Sequence, residues 1–220
     1  VAFAVTDGVN STILYRETEQ DEWENVLTTS FKESVSPAFF TFDNKNVYAA
    51  SNLNRDKSAV VVFDIANGKE IEVLYENPDY DVYGIFHSKK RKALTSASYT
   101  SWKRERHFFD DQTRELFERL EQDLGDYELG ITATNRNEDV FIVRTYSDRS
   151  LGSYYIYDLE QDKLEKIADI SPWIDENEMA KVTPIKYQSR DGLTIHGYLT
   201  LPKGYTMDNA KDLPVIVNPH

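Results

Sequence analysis

The chain has 220 residues, 40% of them hydrophobic, and a net charge of −13, which suits one medium domain or a domain with a fragment of another. Residues 182–220 carry Lys186, Arg190, Lys203 and Lys211 against Asp191, Asp208 and Asp212, a net of +1, so residues 1–181 hold −14. An acidic body of this kind repels nucleic acid and anionic membrane, and with zero cysteines disulfides and thiolate metal sites are excluded.

The chain opens on Val1, so a processed or cut N-terminus is expected, and there is no signal-peptide pattern. No apolar run is longer than that from Ala59 to Phe63, far short of the roughly 20 residues of a membrane helix. A cytoplasmic location is the expectation, with periplasmic or secreted left open.

In chain order, "VAFAVTD", "STILYR" and "ENVLTT" read as three strands. "FFTF", the polar turn Asp43-Asn44-Lys45-Asn46, "VYAAS", "AVVVFD", the turn Ala66-Asn67-Gly68 and "EIEVLY" make four more. The same order returns as "YGIFHS", "KALTSASY", "RHFFD" and "LFERL", and again as "LGITATN", "DVFIVRTYS", "SYYIYD" and "KLEKIAD". Tyr15, Phe63, Phe109 and Tyr157 mark the repeat at spacings of 48, 46 and 48, with an acid next in the last three (Asp64, Asp110, Asp158) and Arg16 in the first. A period of this size built from β-type residues is that of propeller blades. The fold expected is therefore all-β: a partial β-propeller of about four four-stranded blades near 1–30, 38–76, 83–121 and 129–169, the first lacking one strand.

One stretch conflicts with the repeat. "DDQTRELFERLEQDLG" has Leu116, Leu120 and Leu124 at helical spacing, Thr113 as a candidate N-cap and Gly125 past the end. The repeat register favours an outer strand here, with a short helix on the blade's rim as the alternative.

Residues 171–183, with "SPWIDENEMAK", read as a linker after the body at 1–170. Then "PIKYQSRDGLTIHGYLTL" alternates on either side of Asp191-Gly192, a strong hairpin signal. "LPVIV" has no alternation, as in a strand covered on both faces, and ends in Asn218-Pro219-His220.

Propeller-type repeats followed by "SRDGLTIHGYLTLPKGY" and "LPVIVNPH" resemble the prolyl oligopeptidase family of serine peptidases, in its acylaminoacyl-peptidase and dipeptidyl-peptidase-like branch. The resemblance implies that 184–220 is the truncated start of an α/β-hydrolase domain. It also implies that His220 opens the His-Gly-Gly stretch that supplies oxyanion-hole amides. No G-x-S-x-G occurs in these residues, so catalytic residues are expected to be absent from this chain.

Other candidates are weaker. Trp102 and Arg104 in the basic, aromatic "SWKRERHFF" could touch a substrate or a partner domain. "PDYDVYG" and "WIDENE" offer carboxylates to a peptide amine, without a clear match to the glutamate pair of the dipeptidyl branch. His87, His107 and His196 have no metal-ligand spacing, and no cofactor or metal is expected. The expected function is thus the non-catalytic propeller part of a peptidase for short peptides, with gating and positioning of substrate. The competing reading is a peptide- or protein-binding propeller scaffold without hydrolase activity. The expected partners are short peptides, the chain's own hydrolase domain and a second copy joined through open blade faces. Neither nucleic acid nor membrane is among them.

Overall fold

The computed structural model describes residues 2–219. It divides into two compact units, residues 1–120 and 121–220.

In the first unit, β1 (Ala2–Thr6), β2 (Asn10–Tyr15) and β3 (Glu24–Ser30) form a three-stranded antiparallel meander. A four-stranded meander comes next: β4 (Val35–Phe40), β5 (Val47–Ser51), β6 (Ala59–Asp64) and β7 (Lys69–Tyr75). The third sheet has β8 (Val82–Ser88), β9 (Ala93–Thr100) and β10 (Arg104–Phe108), after which the chain enters helix α1 (Asp111–Leu124). These sheets stack face to face because β6 is apolar on both sides. Val61 and Phe63 join Ile13, Val35, Val47 and Ala49 in one core, whereas Val60 faces Val82 and Ala97 in another. Burying both faces of a central strand is what "AVVVF" without alternation encodes.

In the second unit, β11 (Glu128–Thr134), β12 (Val140–Tyr146), β13 (Ser153–Asp158) and β14 (Lys163–Asp169) make a four-stranded meander. Leu129, Phe141, Val143 and Tyr157 are its buried side chains. A 3-10 turn at Glu176–Glu178 leads to the hairpin β15 (Val182–Gln188) and β16 (Thr194–Thr200).

The residues marking the sequence repeat occupy one place. Tyr15 ends β2, Phe63 and Tyr157 are next to last in β6 and β13, and Phe109 directly succeeds β10. The acid after each of the last three closes the next turn in the same way. Asp64 accepts from the Asn67 N–H at 3.1 Å, Asp158 from Gln161 at 2.9 Å and Asp110 from Thr113 at 2.9 Å.

The residue four places after that acid separates strand from helix. In two repeats it is Gly68 (φ +64°) or Asp162 (φ +48°), which turns the chain back into β7 or β14. In the third repeat it is Arg114, which stays right-handed and donates to the Asp110 carbonyl at 3.3 Å, so the same Asx turn becomes a helix N-cap. The outer strand expected over "LFERL" is therefore a helix, capped by Asp110 rather than Thr113. Its apolar stripe seats Phe117 and Leu120 in the interior, with the Phe117 ring 5.6 Å from Phe108.

A second correction concerns "LPVIV". Residues 213–219 form no strand, and Val215, Ile216 and Val217 are 80%, 95% and 81% exposed. An isolated apolar segment cannot keep a strand without a ladder partner, and none lies beside it among the described residues.

Candidate functional site

In an antiparallel four-strand meander, the turn between the second and third strands lies at the same end of the sheet as the chain's entry and exit. That end is where the candidate side chains gather in each unit.

In the second unit this end holds a cleft of about 340 Å³ between the β12–β13 turn, the end of β14 and the segment after it. Gly152 shapes the turn: its φ is +83°, and an added Cβ would stand 1.7 Å from the Thr145 carbonyl oxygen, so no other residue fits. Ser153 then sits against β12, its N–H donating to the Thr145 hydroxyl at 3.0 Å. Its own hydroxyl donates to Asp169 Oδ1 at 2.6 Å, and Lys166 pairs with the same carboxylate. These two hydrogen bonds, the lysine's first, hold the Asp169 carboxyl below the usual carboxylate range.

Two acids of "WIDENE", Asp175 and Glu176, lie here too. Glu176 Oε2 accepts from the Tyr127 hydroxyl at 2.6 Å, while Asp175 caps the 3-10 turn through the Asn177 N–H at 2.9 Å. The bond to Glu176, with burial and the charge of that carboxylate, pushes the Tyr127 hydroxyl up to about 12. Each carboxylate is thus already engaged in holding the chain, so the cleft is a polar recess with fixed walls. Sequence spacing carried no sign of it, because Tyr127 and Glu176 are 49 residues apart.

In the first unit the corresponding end carries Trp102. The indole is 54% exposed at the β9–β10 turn, with Lys103 Nζ 5.1 Å over its ring. Glu105 braces the turn by accepting from Ser101 and, at 3.0 Å, from Tyr99. Arg104 opens β10, exposed, opposite Thr100. Of "PDYDVYG", Asp81 accepts from the Ser58 N–H at 2.7 Å and so serves the neighbouring turn.

The three described histidines are packing and surface groups. His107 stacks on Tyr75 at 3.9 Å and 7°, and burial lowers its pKa. His87 lies 4.0 Å from the Phe39 ring, and His196 is exposed on β16. His220 falls outside the described residues. Among the described residues no group of three or more His, Asp or Glu could hold a metal ion, and no helix is long and apolar enough to cross a membrane.

No family model matches the chain. Among curated proteins it is 28% identical over 195 residues to dipeptidyl aminopeptidase BIII of Pseudoxanthomonas mexicana, covering 88% of this chain but 27% of that protein. Among solved structures it is similar to prolyl oligopeptidase B from Galerina marginata bound to a 25mer macrocyclization substrate, with a TM-score of 0.55 at 15% identity. That match covers 90% of this chain and 30% of the other. The same enzyme with a 35mer hydrolysis and macrocyclization substrate gives a TM-score of 0.54 at 15% identity, with the same coverage. The chain thus spans under a third of the length of the proteins it matches. By sequence the chain is thus similar to a dipeptidyl aminopeptidase, and by fold to a part of prolyl oligopeptidase B.

Proposed function

We propose that this chain is the non-catalytic propeller side of a serine peptidase that hydrolyses short peptides, and that its blades admit and position the substrate. The observation that carries this reading is the similarity to a dipeptidyl aminopeptidase over 88% of the chain. On this reading the hairpin β15–β16 begins the hydrolase part, and the nucleophile, its base and its acid come from sequence after His220.

Trp102 and Arg104 are then contacts for substrate or for the hydrolase part. Their turn is the counterpart, in the repeat, of the β12–β13 turn, whose Asp148 accepts from the Val182 N–H at the start of the hairpin. An exposed indole beside basic groups suits the C-terminal carboxylate and apolar side chains of a short peptide.

Two measurements test the proposal. The 220-residue chain alone should neither hydrolyse aminoacyl- or dipeptidyl-nitroanilides above buffer nor react with a fluorophosphonate probe. The gene read past the codon for His220 should encode a G-x-S-x-G and then, in order, Asp and His. Stoichiometric serine labelling of the 220 residues, or a continuation without that motif, overturns it.

A further inference from the structure

The connection between the fourth meander and the hairpin is fastened at three separate points. Before β11, the Tyr127 hydroxyl donates to Glu176 in the middle of the connection, at 2.6 Å. From the β12–β13 turn, Asp148 Oδ2 takes the N–H of Val182, the first residue of β15, at 2.8 Å. Beyond β16, Lys203 Nζ donates to Glu178 at 2.7 Å, tying the exit of the hairpin back to the connection that enters it.

These contacts are complementary in position. The first holds the connection to the sheet, the second holds the hairpin's entry to the sheet, and the third holds its exit to the connection. A hairpin held by one contact can pivot, whereas one held at entry and exit has its direction fixed. None of the three is needed for the meander's own ladder or core, which rest on β11–β14 pairing and on Leu129, Phe141, Val143 and Tyr157.

We propose that Tyr127, Asp148 and Glu178 form a clasp that sets the orientation of the hairpin on the end of the fourth meander. With the functional reading above, on which this step rests, the clasp fixes where the hydrolase part sits against the propeller. The Tyr127 partner is a constant one: a hydroxyl pushed up to about 12 keeps its proton across the physiological range and always donates. The Lys203–Glu178 pair is exposed and adds least, since water and salt screen such pairs.

The absence of cysteine makes the test direct, because spin labels can be placed at two introduced cysteines without background. Glu160→Cys, in the β13–β14 turn, and Arg190→Cys, in the hairpin loop, are both exposed positions. Electron–electron dipolar measurements on the labelled 220-residue chain should give one narrow distance distribution. Tyr127→Phe, which removes only the hydroxyl, combined with Asp148→Ala should broaden it at least about twofold, because two of the three fastenings are lost.

Lys163→Gln, which breaks an exposed pair within β14, should leave the distribution unchanged. An unaltered distribution in the double variant, or one already broad in the parent chain, overturns the clasp. Label distances report the clasp independently of any sequence after residue 220, whereas the gene sequence reports on the functional reading, so the two fail separately.

Discussion

At the scale of single residues, one carboxylate type does two jobs depending on the residue four places later. Asp110 shows this best, since it is a helix cap and an ion-pair partner at once: Arg91 Nη1 donates to it at 2.7 Å. Burial pushes its carboxyl up, but the hydrogen bonds from Arg91 and from the Thr113 backbone and hydroxyl outweigh that and hold it below the usual range. Asp110→Ala is expected to cost about 1–3 kcal/mol, the sum of a lost cap and an arginine left with the Thr113 hydroxyl but no carboxylate, read as a lower urea midpoint at unchanged slope. His107 gives a pH signature of defined sign. Its pKa is lowered by burial against Tyr75, so the unfolded chain binds the proton first as pH falls below about 6.5. Stability present above that pH is lost as it drops toward the folded value. His107→Phe keeps an aromatic ring on Tyr75 and should flatten this part of the stability profile below about pH 6.5. A profile unchanged by the substitution would remove His107 from the account.

At the scale of elements, the turn between the third and fourth strands decides what the fourth element becomes. Gly68 carries a double constraint, a φ of +64° and a Cβ position 2.1 Å from the Val26 carbonyl oxygen of β3. Gly68→Ala should therefore destabilise the first unit by more than about 1 kcal/mol, whereas Gly125→Ala, with φ +68° but open space, should cost only the backbone term. Equal thermal shifts for the two would show that the close approach to β3 does not matter. Helix α1 was legible in its own residues, from the leucine spacing and from Gly125. The repeat pointed to a strand because blade register says where an element lies and not which conformation it takes. The hairpin was legible for a similar local reason: Asp191-Gly192 supplies the turn, Gly192 at φ +85°, within a five-residue loop between Gln188 and Thr194. "LPVIV" was not, since a strand buried on both faces exists only where neighbours cover it.

At the scale of the whole molecule, exposure is uneven. The meanders bury Phe63, Ile65, Val143 and Tyr157, while Val215 to Val217 lie open beyond the hairpin. Thermolysin, which cuts beside large apolar residues in extended exposed chain, should therefore trim residues 205–219 before it cuts any of β4–β14. Early cleavage inside β11–β14 would mean that the second unit is less cohesive than its ladder suggests. Strand order, the period near 48, the acid closing each turn and the hairpin are all written in the chain, because they depend on alternation and turn chemistry within about ten residues. The loss of strand over 213–217, the cleft at the end of β14 and the Tyr127–Glu176 contact needed the folded molecule. Each of those depends on which distant residues stand opposite one another, and a hydrogen bond across 49 residues leaves no periodic trace in the chain.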